Sequence, residues 1–132
     1  MSGSLASVLM PVWNGANYIR EAIDSVLNQD YQNLEIIICD DGSTDNTYSV
    51  IEEYTFVDPR VKLVSQAHSG KVKALNKAFK ISKGQFIVLL AHDDVLLKNS
   101  IAKRVQSLED HKVEVCFHNA YICNDKLEIQ RL

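Results

Sequence analysis

The chain has 132 residues, 46% apolar and 23% charged, which suits one soluble globular domain with a real core. Its 14 basic and 17 acidic side chains give a net charge of −3, excluding a broad electrostatic claim on nucleic acid. No apolar run reaches bilayer-spanning length, and "MSGSLASVLM" lacks the basic start of a signal peptide, so membrane association is expected only through regions outside this sequence.

Residues 1–4 read as a flexible start or an expression remnant, and residues 5–132 as a single domain. "SLASVLMPV" predicts a buried strand stopped by Pro11. Ile19, Ala22, Ile23, Val26 and Leu27 follow at the three- and four-residue steps of an amphipathic helix. Leu34 to Cys39 predicts a second buried strand, and "DDGSTD" a turn, with Ser43 or Thr44 placed to cap a helix running to about Tyr54. "RVKLVSQ" predicts a third strand. Val72, Leu75, Ala78 and Phe79 then mark a helix closed at Gly84. Gln85 to Ala91 is a fourth strand, and a helix is expected from Asn99 to Asp110. "VEVCFHNAYIC" and "LEIQRL" are short and β-rich, with "NDK" as a hairpin turn. The three cysteines, Cys39, Cys116 and Cys123, are widely spaced and odd in number. This points to small buried residues in a reducing compartment, the cytoplasm.

Strands alternating with helices, and apolar on both faces, predict an α/β fold with a mostly parallel sheet flanked by helices. Ligands of such sheets bind outside the carboxyl ends of the strands. "PVWN", "DDGSTD", "QAHSG" and "AHDD" therefore converge on one crevice. Paired carboxylates are costly unless a cation joins them, and Mg2+ or Mn2+ takes one or two carboxylates plus phosphate oxygens. Asp93 and Asp94 fit such a half-built site; otherwise one caps the next helix and the other is solvated. Asp40 and Asp41 are expected to face the crevice together, where an acid can accept from a base N–H or a ribose hydroxyl. Trp13 is either a core residue or a face for stacking a nucleobase. Gly70 allows close backbone approach. Lys71 or Lys73, near the first turn of a helix, is placed to meet a phosphate, whereas Lys77 reads as part of a solvated face.

The stretches "SVLMPVWNGANYIREAIDSVLNQDYQNLEIIICDDGSTDNT" and "HSGKVKALNKAFKISKGQFIVLLAHDDVLLKNSI" together resemble the nucleotide-sugar-binding half of GT-A glycosyltransferases of the large inverting family. The resemblance implies that Pro11, Val12 and Trp13 line the base and that Asp41 accepts from it, the base being commonly uracil. It implies a ribose-side place for His92, with Asp93 as the last acid of an Asp-X-Asp metal motif. Trp13 stands where the family usually has tyrosine, Ala91 where the motif has its first Asp, and Leu75 where an arginine is frequent. Gly70 and Lys73 complete the expected nucleotide-sugar site, and Asp93 and Asp94 the metal site, for Mn2+ or Mg2+. The catalytic base is expected beyond Leu132, so the chain reads as the N-terminal portion of a longer enzyme.

The function this implies is transfer of a sugar, with inversion, from a nucleotide-diphosphate donor, UDP-linked by preference. The acceptor would be a glycan, lipid or protein. A sugar nucleotidyltransferase is the alternative enzyme, but it needs a glycine-rich basic loop after the first strand, where only Gly15 and Arg20 occur. A phospho-accepting signalling domain would want its acidic pair after the first strand, where Pro11 to Asn14 stand. A homodimer could form by pairing at an open sheet edge or at residues 113–123.

Overall fold

A computed structural model describes residues 3–131. They fall into two compact units, divided between Ala102 and Lys103. The first unit carries strands β1 (Ala6–Val12), β2 (Leu34–Asp40), β3 (Val61–Ser65) and β4 (Phe86–Leu89), with helices α1 (Ile19–Leu27), α2 (Thr47–Val57) and α3 (Lys71–Ile81). Helix α4 (Ser100–His111) runs across the division. Beyond it, β5 (Ile122–Cys123) and β6 (Ile129–Arg131) form an antiparallel pair.

The first four strands make one parallel sheet in the order β3-β2-β1-β4. The chain steps outward from β1 to β3, then crosses back to place β4 on the far side of β1. With right-handed crossovers, this puts α1 and α2 on one face and α3 on the other. The reversal opens a switch point between β1 and β4, at the carboxyl end of the sheet.

Alternation along β2 sorts its side chains between the two faces. Ile37 and Cys39, with Leu9 of the neighbouring β1, are fully buried against Ala74 and Ala78 of α3. Small residues on the helix let it lie close to the sheet. Glu35 shares this face and is buried near the opposite end of the strand. It accepts from Ser7 Oγ (2.6 Å), Lys62 Nζ (2.5 Å) and the Lys83 backbone N–H (2.8 Å). Burial pushes its carboxyl up, but these donors outweigh burial and hold it below the ordinary value.

Several boundaries differ from the sequence expectation for physical reasons. Pro11 does not stop β1 but lies inside it, opposite Cys39. Leu9 O is bonded on the β4 side, by Leu90 N–H, and Val12 O on the β2 side, by Asp41 N–H. Alternation therefore turns the donor-less Pro11 nitrogen toward β4, which has already ended at Leu89, so no ladder bond is lost. Ser43 and Thr44 do not cap α2; the helix starts later, at Thr47, behind Asn46. Helix α3 ends at Ile81, before Gly84. "NDK" does form a hairpin turn, with Asn124 Oδ1 accepting from Lys126 and Glu128 N–H. The run 113–121, however, takes no regular strand. Cys39 is buried, Cys116 half-buried and Cys123 exposed, all free.

Candidate functional site

The β1–α1 and β2–α2 loops are stitched together by the polar residues of "NG" and "DDGSTDNT". Asn14, in the left-handed region at φ 49°, accepts through Oδ1 from the Thr44 and Asp45 N–H groups (2.8 and 3.3 Å). Asn14 N–H donates to Ser43 Oγ and Gly15 N–H to Thr47 Oγ1, each at 2.9 Å. Asp45 in turn accepts from the Thr47 hydroxyl and N–H. These short polar side chains give the backbone turn-closing partners that a regular element would otherwise supply.

The two adjacent acids separate because successive residues of a strand point to opposite faces. Asp40 turns away from the crevice and accepts from the Ser43 hydroxyl, so of the two acids expected to face the crevice only Asp41 lines the cavity. Asp41, 4% exposed at its side chain, lies on the α3 face. Its Oδ1 accepts from Gln66 Nε2 (2.7 Å) and Ser69 N–H (2.8 Å). Its Oδ2 accepts from Gly70 N–H (2.9 Å) and faces His68 Nδ1 (2.9 Å). Burial pushes the Asp41 carboxyl up, but the bonds from Gln66, Ser69 and Gly70 and the adjacent His68 hold it below its ordinary value. Gly42 is required here: its φ is 74°, and a Cβ would stand 2.8 Å from His68 N.

A cavity of about 360 Å³ opens at the switch point, lined by Pro11, Val12 and Trp13 from the end of β1, and by Asp41 from the end of β2. His68, Gly70 and Lys71 line it from the β3–α3 loop, and Ala91, His92 and Asp93 from beyond β4. The structure thus brings seven of the nine expected site residues to one cavity: Pro11, Val12, Trp13, Asp41, Gly70, His92 and Asp93. Lys73 is not among them. It lies in a separate hollow with Gln66, Asn76, Lys77 and Lys80, because two helical steps turn it roughly 200° from Lys71. Asp94 is exposed beside the cavity, its N–H closing a turn to Ala91 O (3.1 Å).

Sequence reasoning placed "QAHSG" at the crevice without singling out His68. That ring packs on Trp13, with centroids 4.6 Å apart and planes tilted by 30°, so one indole face is already covered. His92 is half-buried over Gly15, where a Cβ would meet its Cδ2 at 2.4 Å. No group of three or more His, Cys, Asp or Glu side chains able to hold a metal occurs among the described residues. A cation here would therefore have to share its ligands with a substrate. Asp93 suits that arrangement: its oxygen donors match hard cations, it lines the cavity, and substrate phosphates can fill the remaining positions.

A 3-2-1-4 parallel sheet, a cavity at its switch point and an acidic loop after β4 define the class: a GT-A, nucleotide-diphosphosugar transferase fold. Residues 7–132 match the model of "Glycosyl transferase family 2", and the chain belongs to that family. It is 34% identical over 118 residues to glycosyltransferase GlyG of Streptococcus pneumoniae, covering 89% of this chain and 39% of GlyG. The crystal structure of S. aureus TarS 1–349 in complex with UDP superposes with a TM-score of 0.75 at 29% identity, over 81% of this chain and 32% of that one. Mannosyltransferase PcManGT from Pyrobaculum calidifontis, in complex with GDP-Man and Mn2+, gives a TM-score of 0.73 at 30% identity, over 78% and 32% of the two chains. The chain thus spans about two fifths of the length of GlyG.

Proposed function

We propose that this chain is the donor-binding part of a metal-assisted glycosyltransferase. The whole enzyme would move a sugar from a UDP-linked donor, with inversion, to a glycan, lipid or protein acceptor. The observation that carries the reading is the single cavity joining an aromatic and acidic end (Trp13, His68, Asp41) to Asp93 across the switch point. A nucleotide diphosphate has the matching layout: a flat base at one end and anionic oxygens at the other.

Each residue then has a physical task. Trp13 and His68 offer apolar ring surface to the base, and His92 walls the cavity from the β4 side. Lys71 is placed to offset phosphate charge. Asp93, with Asp94 beside it, would hold a shared Mn2+ or Mg2+, and that ion supplies charge neutralisation for the departing diphosphate. Inverting transfer also needs a base to take the acceptor hydroxyl's proton as its oxygen attacks the anomeric carbon. Asp41 is occupied by its loop donors and Asp93 would be engaged by the cation, so the base is proposed to come from another part of the whole enzyme. Sugar nucleotidyl transfer has no support in the β1–α1 loop, where no glycine-rich basic turn occurs.

Calorimetric titration of the chain with UDP and Mn2+ tests the reading. Binding that requires Mn2+, and is abolished by Asp93→Ala, is the expected result. Undiminished binding by that variant overturns the metal assignment. Binding of acetyl phosphate with Mg2+ in place of UDP would favour the phospho-acceptor alternative.

A further inference from the structure

Between Asp58 and Asp93 lie seven of the chain's 14 basic residues and none of its 17 acids. Two of the seven are paired locally, Arg60 with Asp58 and Lys62 with Glu35. The other five, Lys71, Lys73, Lys77, Lys80 and Lys83, are exposed and form no ion pair among the described residues. A chain that is acidic overall thus carries a dense positive strip on and beside α3.

Helical geometry sorts these residues. Ala74 and Ala78 bury one side of α3 against the sheet. At about 100° per residue, the opposite half runs from Phe79 and Val72 through Asn76 to Lys80, Lys73 and Lys77. The three lysines follow one another at steps of four and three residues, a spacing at which like charges repel. With Gln66 and Asn76 they line a hollow of about 490 Å³, where Lys77 Nζ donates to Ser65 O (2.5 Å). Beside them Val72 and Phe79 are 71% and 57% exposed.

A bilayer containing anionic lipids satisfies both halves of this face. Lysine stems run along apolar surface while their ammonium groups reach for phosphate, and neighbouring apolar side chains enter the boundary between headgroups and acyl chains. A nucleic acid could stack on Phe79 but finds no aromatic face at Val72. No helix among the described residues is long and apolar enough to cross a membrane, so the contact is peripheral.

We propose that the outer face of α3 docks on an anionic lipid bilayer, with Lys73, Lys77 and Lys80 on headgroup phosphates and Val72 and Phe79 at the acyl boundary. The sequence expectation placed membrane contact outside this chain; this face supplies one within it, independently of the donor-site reading. Lys71, the first residue of the same helix, lines the cavity, so docking holds the cavity close to the lipid surface.

Flotation of the chain with phosphatidylcholine vesicles, with and without phosphatidylglycerol, tests this. Binding is expected only with phosphatidylglycerol and should fade as salt is raised. Each lysine near such a surface is worth about fivefold in affinity. Lys73→Gln, Lys77→Gln and Lys80→Gln combined should therefore weaken binding by about a hundredfold. Lys103→Gln, Lys112→Gln and Lys126→Gln combined remove the same charge elsewhere and should change it far less. Phe79→Ser should weaken binding at every salt concentration. Equal losses in the two triple variants overturn the assignment, since net charge alone then explains the binding. Equal binding to neutral vesicles, or binding to neither kind, overturns it too. Tighter binding to single-stranded RNA than to anionic vesicles, unaffected by Phe79→Ser, would assign the face to nucleic acid instead. Circular dichroism of each variant separates a lost contact from a lost fold.

Discussion

Glu35 in β2 and Asp41 just past its end stand six residues apart on the α3 side of the sheet, and each holds a different end of α3. Glu35 accepts from the Lys83 backbone where the helix leaves for β4. Asp41 accepts from the Ser69 and Gly70 backbone where the helix begins. Between them, Ile37 and Cys39 pack on Ala74 and Ala78. One strand face thus fastens the helix by an acid at each end and apolar contact in the middle. The two clamps differ in what else they hold. Glu35 gathers an ammonium and a hydroxyl away from the cavity, whereas Asp41 lines the cavity and orients a ring that faces it. Similar chemistry secures the fold at one end of the strand and the site at the other.

Removing either acid should have the largest effect. Glu35→Ala strands a buried hydroxyl and a backbone N–H and leaves Lys62 unpaired; Asp41→Ala strands two backbone donors, an amide and an imidazole. Each should cost about 3 kcal/mol in urea denaturation, the usual scale for orphaned buried partners. Only Asp41→Ala should also abolish UDP binding under conditions where the protein remains folded. Loss of binding in Glu35→Ala as well would show that the two clamps are not independent.

Acid should loosen both clamps. The two carboxyls are held below their ordinary values in the folded chain. Their contribution is therefore present above the unfolded-chain values, roughly pH 4, and is lost as pH falls through the lower folded ones. Urea midpoints measured from pH 6 down to pH 2 should fall in that acidic range. Glu35→Gln and Asp41→Asn should each flatten part of the fall.

Two glycines provide a finer cut. A Cβ on Gly84 would meet Ser7 N at 2.6 Å and Leu5 O at 2.8 Å; one on Gly42 would meet His68 N at 2.8 Å, from a residue at φ 74°. Gly84→Ala should destabilise by about 1–2 kcal/mol without altering UDP affinity. Gly42→Ala should cost a similar amount and weaken UDP as well, because the atom it pushes belongs to the loop lining the cavity. Equal binding by the two variants would contradict the division between fold clamp and site clamp.

The fold was largely readable because apolar alternation and helical spacing are local signals: α1 begins at Ile19 and β2 at Leu34, as their patterns predict. The convergence of four loops followed from topology alone. What escaped were matters of facing and partner choice. Adjacent aspartates in sequence do not say that a strand sends them to opposite faces, so the expectation that Asp40 faces the crevice beside Asp41 fails: Asp40 serves a turn. Nor does "QAHSG" reveal that His68 bridges Asp41 and Trp13, since those contacts join loops far apart in the chain. The residues 113–121 carry β-rich composition but take no strand, as composition becomes pairing only when a partner edge is present.

The two lysines at the start of α3 give the smallest and most specific contrast. Lys71 is the first helical residue after Gly70 and lines the cavity; Lys73 lines the hollow beside Lys77 and Lys80. Both are exposed, so replacing either should barely change stability. A single solvated cation near a diphosphate is worth little more than a surface ion pair, about 1 kcal/mol or less. Lys71→Ala should therefore weaken UDP only about three- to fivefold, less as salt is raised, and should leave uridine affinity unchanged. Lys73→Ala should change neither, because the helix turns its side chain out of reach of the same phosphate. If Lys73→Ala produced the salt-sensitive loss instead, the phosphates would lie over the α3 hollow, and the ligand would have to run away from Asp93 rather than toward it.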